Sequence, residues 1–226
     1  MKAAAVSLDS LRARVRAMER LSPAPSEPLA LPVGSLTLAC LHQIVAVDAT
    51  ATGFAAFIAG RLAERLERPV MWLPIGGDLH PPGLAAWGLA PGRLMMTMAG
   101  DRDRLWAMEE ALRCPDLACV VAEIGALDLT AGRRLQLAAE AGGVTGLALH
   151  PAAAAAAIAN AGTTRWRVAA APEDRWRLTL ERCRGGLPGE WEITPPRLGE
   201  GGTYSAATCK RKAMSSAMRT AEAPEL

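Results

Sequence analysis

Residues 44–66 read IVAVDATATGFAAFIAGRLAERL, and this segment decides how the fold is interpreted. An apolar run predicts a strand, a short stretch of small residues predicts a loop, and the remainder has the pattern of a helix. A P-loop has this order of elements, and in it backbone N–H groups and a lysine hold nucleotide phosphates. Phe54 and Ala55 stand where the motif has lysine and serine or threonine. The sequence therefore predicts the architecture of a nucleotide-binding loop without its phosphate and Mg²⁺ ligands.

Length suits one domain, and the net charge does not by itself require a strongly charged partner. The 226 residues suit a single α/β domain with extensions. A net charge of +2 gives no global field that would require nucleic acid or a membrane. Only three of the 25 basic residues are lysines, and alanine, glycine and proline are abundant. This composition is typical of a GC-rich, bacterial coding sequence.

Cysteine and histidine usage predicts neither disulfides nor a metal site. The five cysteines are odd in number and form no C-x-x-C motif, and the three histidines are scattered. No zinc-binding spacing can be built from them, so free thiols in a reducing cytoplasm are expected. The N-terminus lacks the apolar core of a signal peptide, and the apolar run 152–157 is too short to span a bilayer.

The chain divides into three predicted regions. Residues 1–34 contain a helix over 7–21, with apolar residues at heptad spacing, and then a Pro-rich linker over 22–34. Residues 35–194 form the folded domain with the degenerate P-loop. From Pro195 onward the periodicity is lost, so residues 195–226 are predicted to be a disordered tail.

Strands and helices alternate through most of the domain. The predicted strands are 44–48, 69–73, 93–98, 117–122 and 144–149, and the predicted helices are 54–67, 83–88, 101–113 and 130–141. Near-continuous apolar strands separated by amphipathic crossovers indicate an α/β fold, with a parallel sheet flanked by helices.

The pattern then changes to antiparallel strands at 164–170, 175–183 and 190–194. Residues in these strands alternate with period two, which predicts one buried face bearing tryptophans and one polar face. Six arginines fall on or beside the polar face: Arg165, Arg167, Arg175, Arg177, Arg182 and Arg184. Two interpretations stay open, a solvated face or a docking surface for an acidic protein or a DNA backbone.

Colinear segments between residues 40 and 194 resemble a RecA-type ATPase core and, more narrowly, the ImuA family, the RecA-like component of a bacterial SOS mutagenesis cassette. The segments are 52–56 (TGFAA), 83–89 (GLAAWGL), 105–114 (LWAMEEALRC), 127–130 (LDLT), 133–140 (RRLQLAAE), 164–168 (TRWRV) and 182–186 (RCRGG).

This resemblance implies a RecA-like fold and an accessory role in error-prone translesion synthesis after DNA damage. It implies two polymerase-like partners, namely a catalytically inactive relative of the Y-family polymerases and an error-prone polymerase of the replicative type. RecA itself is a further candidate partner, direct DNA binding is left open, and no membrane partner is expected. The alternatives are a weak DNA-stimulated ATPase and a modulator of RecA filaments or of cell division.

The resemblance also identifies which catalytic groups are missing. RecA-type ATPases place a water-activating glutamate after the second strand, where residues 73–78 offer only Asp78. Glu123 and His150 stand near the positions of a Mg²⁺-holding acid and a polar sensor. We therefore expect no catalytic residue, no metal and no cofactor. A vestigial phosphate loop at Thr50, Thr52 and Gly53 leaves residual nucleotide binding open.

Overall fold

The computed structural model describes residues 27–195 and 209–212, and these ranges form eleven strands and four α-helices. The strands are β1 (Leu29–Leu31), β2 (Gly34–Leu36), β3 (Leu41–Ala46), β4 (Val70–Leu73), β5 (Leu94–Met96), β6 (Cys119–Glu123), β7 (Thr145–Pro151), β8 (Thr164–Ala171), β9 (Arg175–Cys183), β10 (Gly189–Ile193) and β11 (Cys209–Lys212). The helices are α1 (Thr50–Leu66), α2 (Pro81–Leu84), α3 (Asp101–Leu112) and α4 (Leu129–Gly142), with 3₁₀ turns at Ala85–Trp87, Pro91–Arg93 and Ala152–Ala157.

Nine of the described strands form one sheet in the order β11-β10-β9-β8-β3-β7-β6-β4-β5. The strands from β8 to β5 in this order are parallel to one another. β9, β10 and β11 extend one side of the sheet as antiparallel neighbours. The predicted α/β class, with a helix-flanked parallel sheet followed by antiparallel strands, is confirmed.

Helices cover both faces of the parallel strands. α1 packs on one face in a core that includes Ile44 and Trp72, and α3 and α4 pack on the other face in a core that includes Val45 and Val120. Ile44 and Val45 are consecutive but belong to different cores, because neighbouring side chains of a strand point to opposite faces. This explains why the strands read as continuous apolar runs. Among the described helices, none has the length and apolar character needed to cross a membrane.

Part of the predicted linker is folded. The sequence predicted a linker over 22–34, but β1 and β2 pair as a separate antiparallel ribbon. Leu29 and Leu31 are buried in the core beneath α1. The linker prediction is wrong for these strands because the prolines lie on either side of β1 and do not interrupt it. The predicted helix over 7–21 lies outside the described residues.

Part of the predicted disordered tail is also folded. β11, at residues 209–212, pairs antiparallel with β10, so that Ile193 lies opposite Cys209 and Glu190 opposite Lys212. The prediction of disorder over 195–226 is therefore wrong for this strand. A four-residue strand has too little sequence for a periodic pattern, and it is defined by the neighbour with which it pairs. Residues 196–208 and 213–226 lie outside the described ranges.

A buried histidine joins β3 to its surroundings. His42 is fully buried, and its Nε2–H donates to the Thr37 carbonyl at 2.8 Å. Its Nδ1 accepts from the Thr164 hydroxyl at 2.7 Å. Burial lowers the pKa of His42 to about 4, against the opposing effect of the bond to Thr37. The Cys40 sulfur lies 3.3 Å from Nε2, but burial raises the pKa of this thiol, so the pair is not an activated nucleophile.

We predict that His42 makes the stability of the fold depend on pH. The pKa in the folded state lies below the unfolded value, so the unfolded chain binds the extra proton between about pH 6.5 and 4. The contribution of His42 is complete above pH 6.5 and falls by about 3 kcal/mol as the pH drops to 4. In urea unfolding at several pH values, His42→Gln should therefore flatten the decline, whereas His80→Gln, at an exposed position, should not. An unchanged pH dependence in His42→Gln would contradict this assignment.

Candidate functional site

The predicted nucleotide loop is a short turn at the carboxyl end of β3. Only Val47, Asp48 and Ala49 lie between β3 and α1, which begins at Thr50, four residues earlier than the predicted helix. Ligands of open α/β sheets bind at this edge, in the crevice outside the carboxyl ends of the strands. The turn is thus in the right place for a phosphate site, and its hydrogen bonds decide whether one can form.

Asp48 occupies the start of α1 with its own carboxylate. Oδ1 accepts the Thr50 N–H at 2.8 Å, and Oδ2 accepts the Ala170 N–H of β8 at 2.8 Å. Burial acts to raise the pKa of Asp48, but the hydrogen bonds from Ala170 and Thr50 outweigh it, so the pKa is lowered and the group is anionic at neutral pH. Asp48 lies one residue before the N-cap Ala49, and its carboxylate holds the first N–H group of α1 and ties the turn to the neighbouring strand.

The N–H groups of the next three residues of α1 are also used. Ala51 N–H donates to the Asp48 carbonyl, and the N–H groups of Thr52 and Gly53 donate to the Ala49 carbonyl. The predicted vestigial residues Thr50, Thr52 and Gly53 therefore lie in the first turn of α1, and none of their N–H groups is left for an anion. A phosphate brought to this helix end would also meet the negative charge of Asp48.

Phe54 points away from the turn into an aromatic cluster. Its ring is fully buried, with centroids 5.9 Å from Trp166 and 6.1 Å from Trp176. Trp87 and Trp191 extend the cluster, at 4.9 Å from Trp176 and 6.1 Å from Trp166 respectively. Phe54 therefore serves packing and is not exposed to stack on a base. The cluster joins α1 to strands β8, β9 and β10.

Gly53 lets this cluster approach the helix. A Cβ placed on Gly53 would lie 3.2 Å from Trp176 and 3.3 Å from Trp87, which is tighter than most real Cβ contacts. In a P-loop a glycine serves the phosphate, but here its lack of a side chain serves two indole rings. The packing of these rings therefore explains why a glycine stands at position 53 of this P-loop-like sequence.

The other suspected catalytic residues have structural roles. Glu123, at the end of β6, accepts the Ile75 N–H at 2.9 Å and the Trp72 indole N–H at 3.4 Å, which fixes the segment after β4. His150 is fully buried, and burial lowers its pKa although Nδ1–H bonds to the carbonyls of Gly125 and Ile124 act against it. Across the described residues no group of three or more His, Cys, Asp or Glu side chains is arranged to hold a metal ion.

Three of the predicted docking arginines are paired within the protein. Arg167 binds Glu181 at 2.6 Å, and Arg177 binds Glu192 at 3.1 Å. Arg175 donates to the Glu192 carbonyl at 2.7 Å. On the polar face of β8, β9 and β10, arginines therefore alternate with glutamates that pair with them. This face is less positive than the six arginines suggested.

The other three arginines differ in their surroundings. Arg165 donates to the Gln43 side chain and to the carbonyls of Ile158 and Ala159, and burial lowers its pKa. Arg182 donates to the Gly162 carbonyl at 3.0 Å. Arg184 is exposed at the end of β9. Of the six, it is the one best placed to meet another molecule.

Sequence reasoning missed Asp48, the residue that determines the chemistry of the turn. An aspartate can accept the N–H group two residues further on, as in an Asx turn, and this signal was available in the sequence. The bond to Ala170 was not available, because it joins residues 122 positions apart.

Comparison with known proteins identifies a related family. No protein-family model matches the chain. Protein ImuA of two strains of Caulobacter vibrioides is 37% identical over 203 residues, and the match covers 78% of this chain and 83% of the relative. The crystal structure of SulA from Pseudomonas aeruginosa has 22% identity and a TM-score of 0.43, and covers 49% of this chain and 97% of that one. The structural likeness is too distant to add to the description of the fold.

We predict that restoring the P-loop residues will damage the fold and will not create a nucleotide site. The double substitution Phe54→Lys and Ala55→Ser removes a buried ring, which alone costs about 3–5 kcal/mol, and places a charge in the aromatic cluster. Urea unfolding should show this loss, and calorimetry should detect no ATP binding. Thr52→Lys, on the partly exposed side of the same helical turn, is the matched control and should cost far less. A stable double variant that binds ATP at micromolar concentration would refute the prediction.

Proposed function

The chain belongs to the ImuA family, and we propose that it acts in the cytoplasm as a non-catalytic adaptor in DNA-damage-induced mutagenesis. In this role it bridges an inactive Y-family polymerase homologue and an error-prone polymerase of the replicative type. The RecA-like core serves as a scaffold for these contacts. Membership of the family supports the link to SOS mutagenesis, and the bridging role is our proposal.

The observation that supports the proposal best is that the protein's own side chains fill the β3–α1 turn. Asp48 bonds the first N–H group of α1, and Phe54 is buried where a nucleotide-binding helix would present lysine. A protein that keeps an α/β scaffold but fills this position with its own side chains is suited to binding partners without nucleotide turnover. No cofactor is required for that role.

We further propose that the polar face of β8 and β9 is one docking surface. Its arginines remain candidates because guanidinium groups in ion pairs keep unused donors. Arg184 is the preferred contact, since it is exposed and pairs with no acidic side chain in the part of the chain that the structure describes. Arg165 is less suited because its donors already hold the backbone at Ile158 and Ala159.

Two other functions make different predictions. A weak DNA-stimulated ATPase would turn over ATP, whereas the adaptor would not. A modulator of RecA filaments or of cell division would bind RecA or a division protein in preference to the polymerase-like proteins. ATP-turnover assays distinguish the ATPase from the adaptor. Pull-down against the inactive polymerase homologue distinguishes the modulator from the adaptor.

We predict no ATP turnover above background, with or without single-stranded DNA. The reason is that Asp48 fills the anion position and that neither lysine nor a hydroxyl follows Gly53. The measurement is phosphate release by the purified protein, repeated after a further chromatographic step. Turnover that follows the protein through that step and rises with DNA would favour the ATPase alternative.

We also predict that Arg184→Glu weakens binding to the inactive polymerase homologue. An exposed charge at an interface contributes less as salt rises, so the loss should be several-fold at low salt and smaller at high salt. Arg68→Glu, an exposed arginine after α1, is the matched control. Binding titrations of the three proteins at two salt concentrations, with circular dichroism as a folding check, make the comparison. Equal affinities of Arg184→Glu and Arg68→Glu would remove this face from the proposal.

A further inference from the structure

A second surface lies between α3 and α4, the two helices that pack on the face of the parallel strands opposite α1. It is a groove of 220 Å³. The lining residues are Arg102, Leu105, Trp106, Glu109, Ala131, Arg134 and Leu135. The adaptor function proposed above does not involve this groove, and the inference below does not depend on that function.

Trp106 forms an exposed wall of the groove. Its exposed fraction is 61%, whereas Trp72, Trp166 and Trp176 are buried. An indole left in water has a large unburied apolar area, and tryptophan is among the residues that most often dominate protein–protein binding energies. Leu105, Ala131 and Leu135 supply an apolar floor beside it. The groove can therefore bury a large apolar side chain against Trp106.

Guanidinium groups stand at the rim. Glu109 is a nearly buried carboxylate that binds both Arg113, at 2.5 Å, and Arg134. Its single negative charge is thus shared by two arginines, and the side chain of Arg134 remains 60% exposed. Arg102, one helical turn before Trp106, is also exposed and adds a second cation to the lining. The groove combines an apolar floor with a net positive rim.

We propose that this groove binds a segment of another protein in which a leucine or aromatic side chain is flanked by carboxylates. The apolar side chain packs on Trp106, and the carboxylates bind Arg102 and Arg134, because Arg–carboxylate hydrogen bonds are strong and directional. The volume of 220 Å³ is below the range of about 300–1,000 Å³ typical of small-molecule clefts. It suits an inserted side chain better than a free metabolite.

A protein segment fits the groove better than a nucleic acid. Proteins that bind single strands provide successive stacking rings along a positive channel. This groove offers a single exposed ring, so only one base of a strand could stack in it. A peptide needs only one apolar anchor and two charge pairs, and the groove supplies these.

The experiment is a selection of random peptides displayed on phage against the full chain, with depletion on the Trp106→Ser variant. Enriched peptides are synthesised and titrated by calorimetry against the wild type, Trp106→Ser and Arg102→Ser. Leu137→Ser is the matched control, since Leu137 is an equally exposed apolar residue of α4 outside the groove. Circular dichroism verifies that each variant is folded, and an oligo-dT strand is titrated in parallel.

The expected peptides carry aspartate or glutamate beside a leucine or aromatic residue. Their affinity should fall by about tenfold or more in Trp106→Ser. It should fall several-fold in Arg102→Ser at low salt and stay unchanged in Leu137→Ser. Failure to enrich peptides, enrichment without acidic residues, or equal binding to Trp106→Ser would overturn the proposal. Trp106-dependent binding of oligo-dT, or Trp106-dependent self-association in sedimentation, would assign the surface to nucleic acid or to a second copy instead.

Discussion

The packing of Phe54 against Trp166 and Trp176 is the contact on which the rest of the molecule depends. It is made by the first helix after the central strand, and it fastens the antiparallel strands to the parallel part of the sheet. Because the ring is fully buried, the same position cannot hold a solvated lysine. The absence of a Cβ at Gly53 allows the indoles of Trp176 and Trp87 to approach the helix closely. The side chain at position 54 therefore serves the core and is not available to a ligand at the turn.

Much of the fold could be read from the sequence, because the parallel strands are short apolar runs between amphipathic helices. β4, β6 and β7 fall within a residue or two of their predicted bounds. β1 and β11 could not be read in this way, since each is only three or four residues long and is defined by its partner strand. Local pattern carries no information about such pairings.

The candidate sites were less predictable for a different reason. Period-two alternation placed the arginines on one face but did not reveal their acidic partners. The register of β8 and β9 shifts between Arg165 and Trp166, and Glu181 is the residue passed over by that shift. Its carboxylate then reaches Arg167. The Trp106 groove is formed by two helices that meet only in the folded chain, so its lining residues could not be grouped from spacing alone.

The Asp48 carboxylate at the start of α1 has a consequence for how such a protein could be controlled. Switch proteins of the nucleotide-binding kind change state when a γ-phosphate is bound and then lost, since the ligand orders a loop and its departure frees it. Here the anion at the helix start is covalently part of the chain, and it joins the turn to β8 through Ala170. Because this anion cannot dissociate, its binding and release cannot switch the turn between two states. In the adaptor role proposed above, the occupancy of each partner follows from its concentration and affinity.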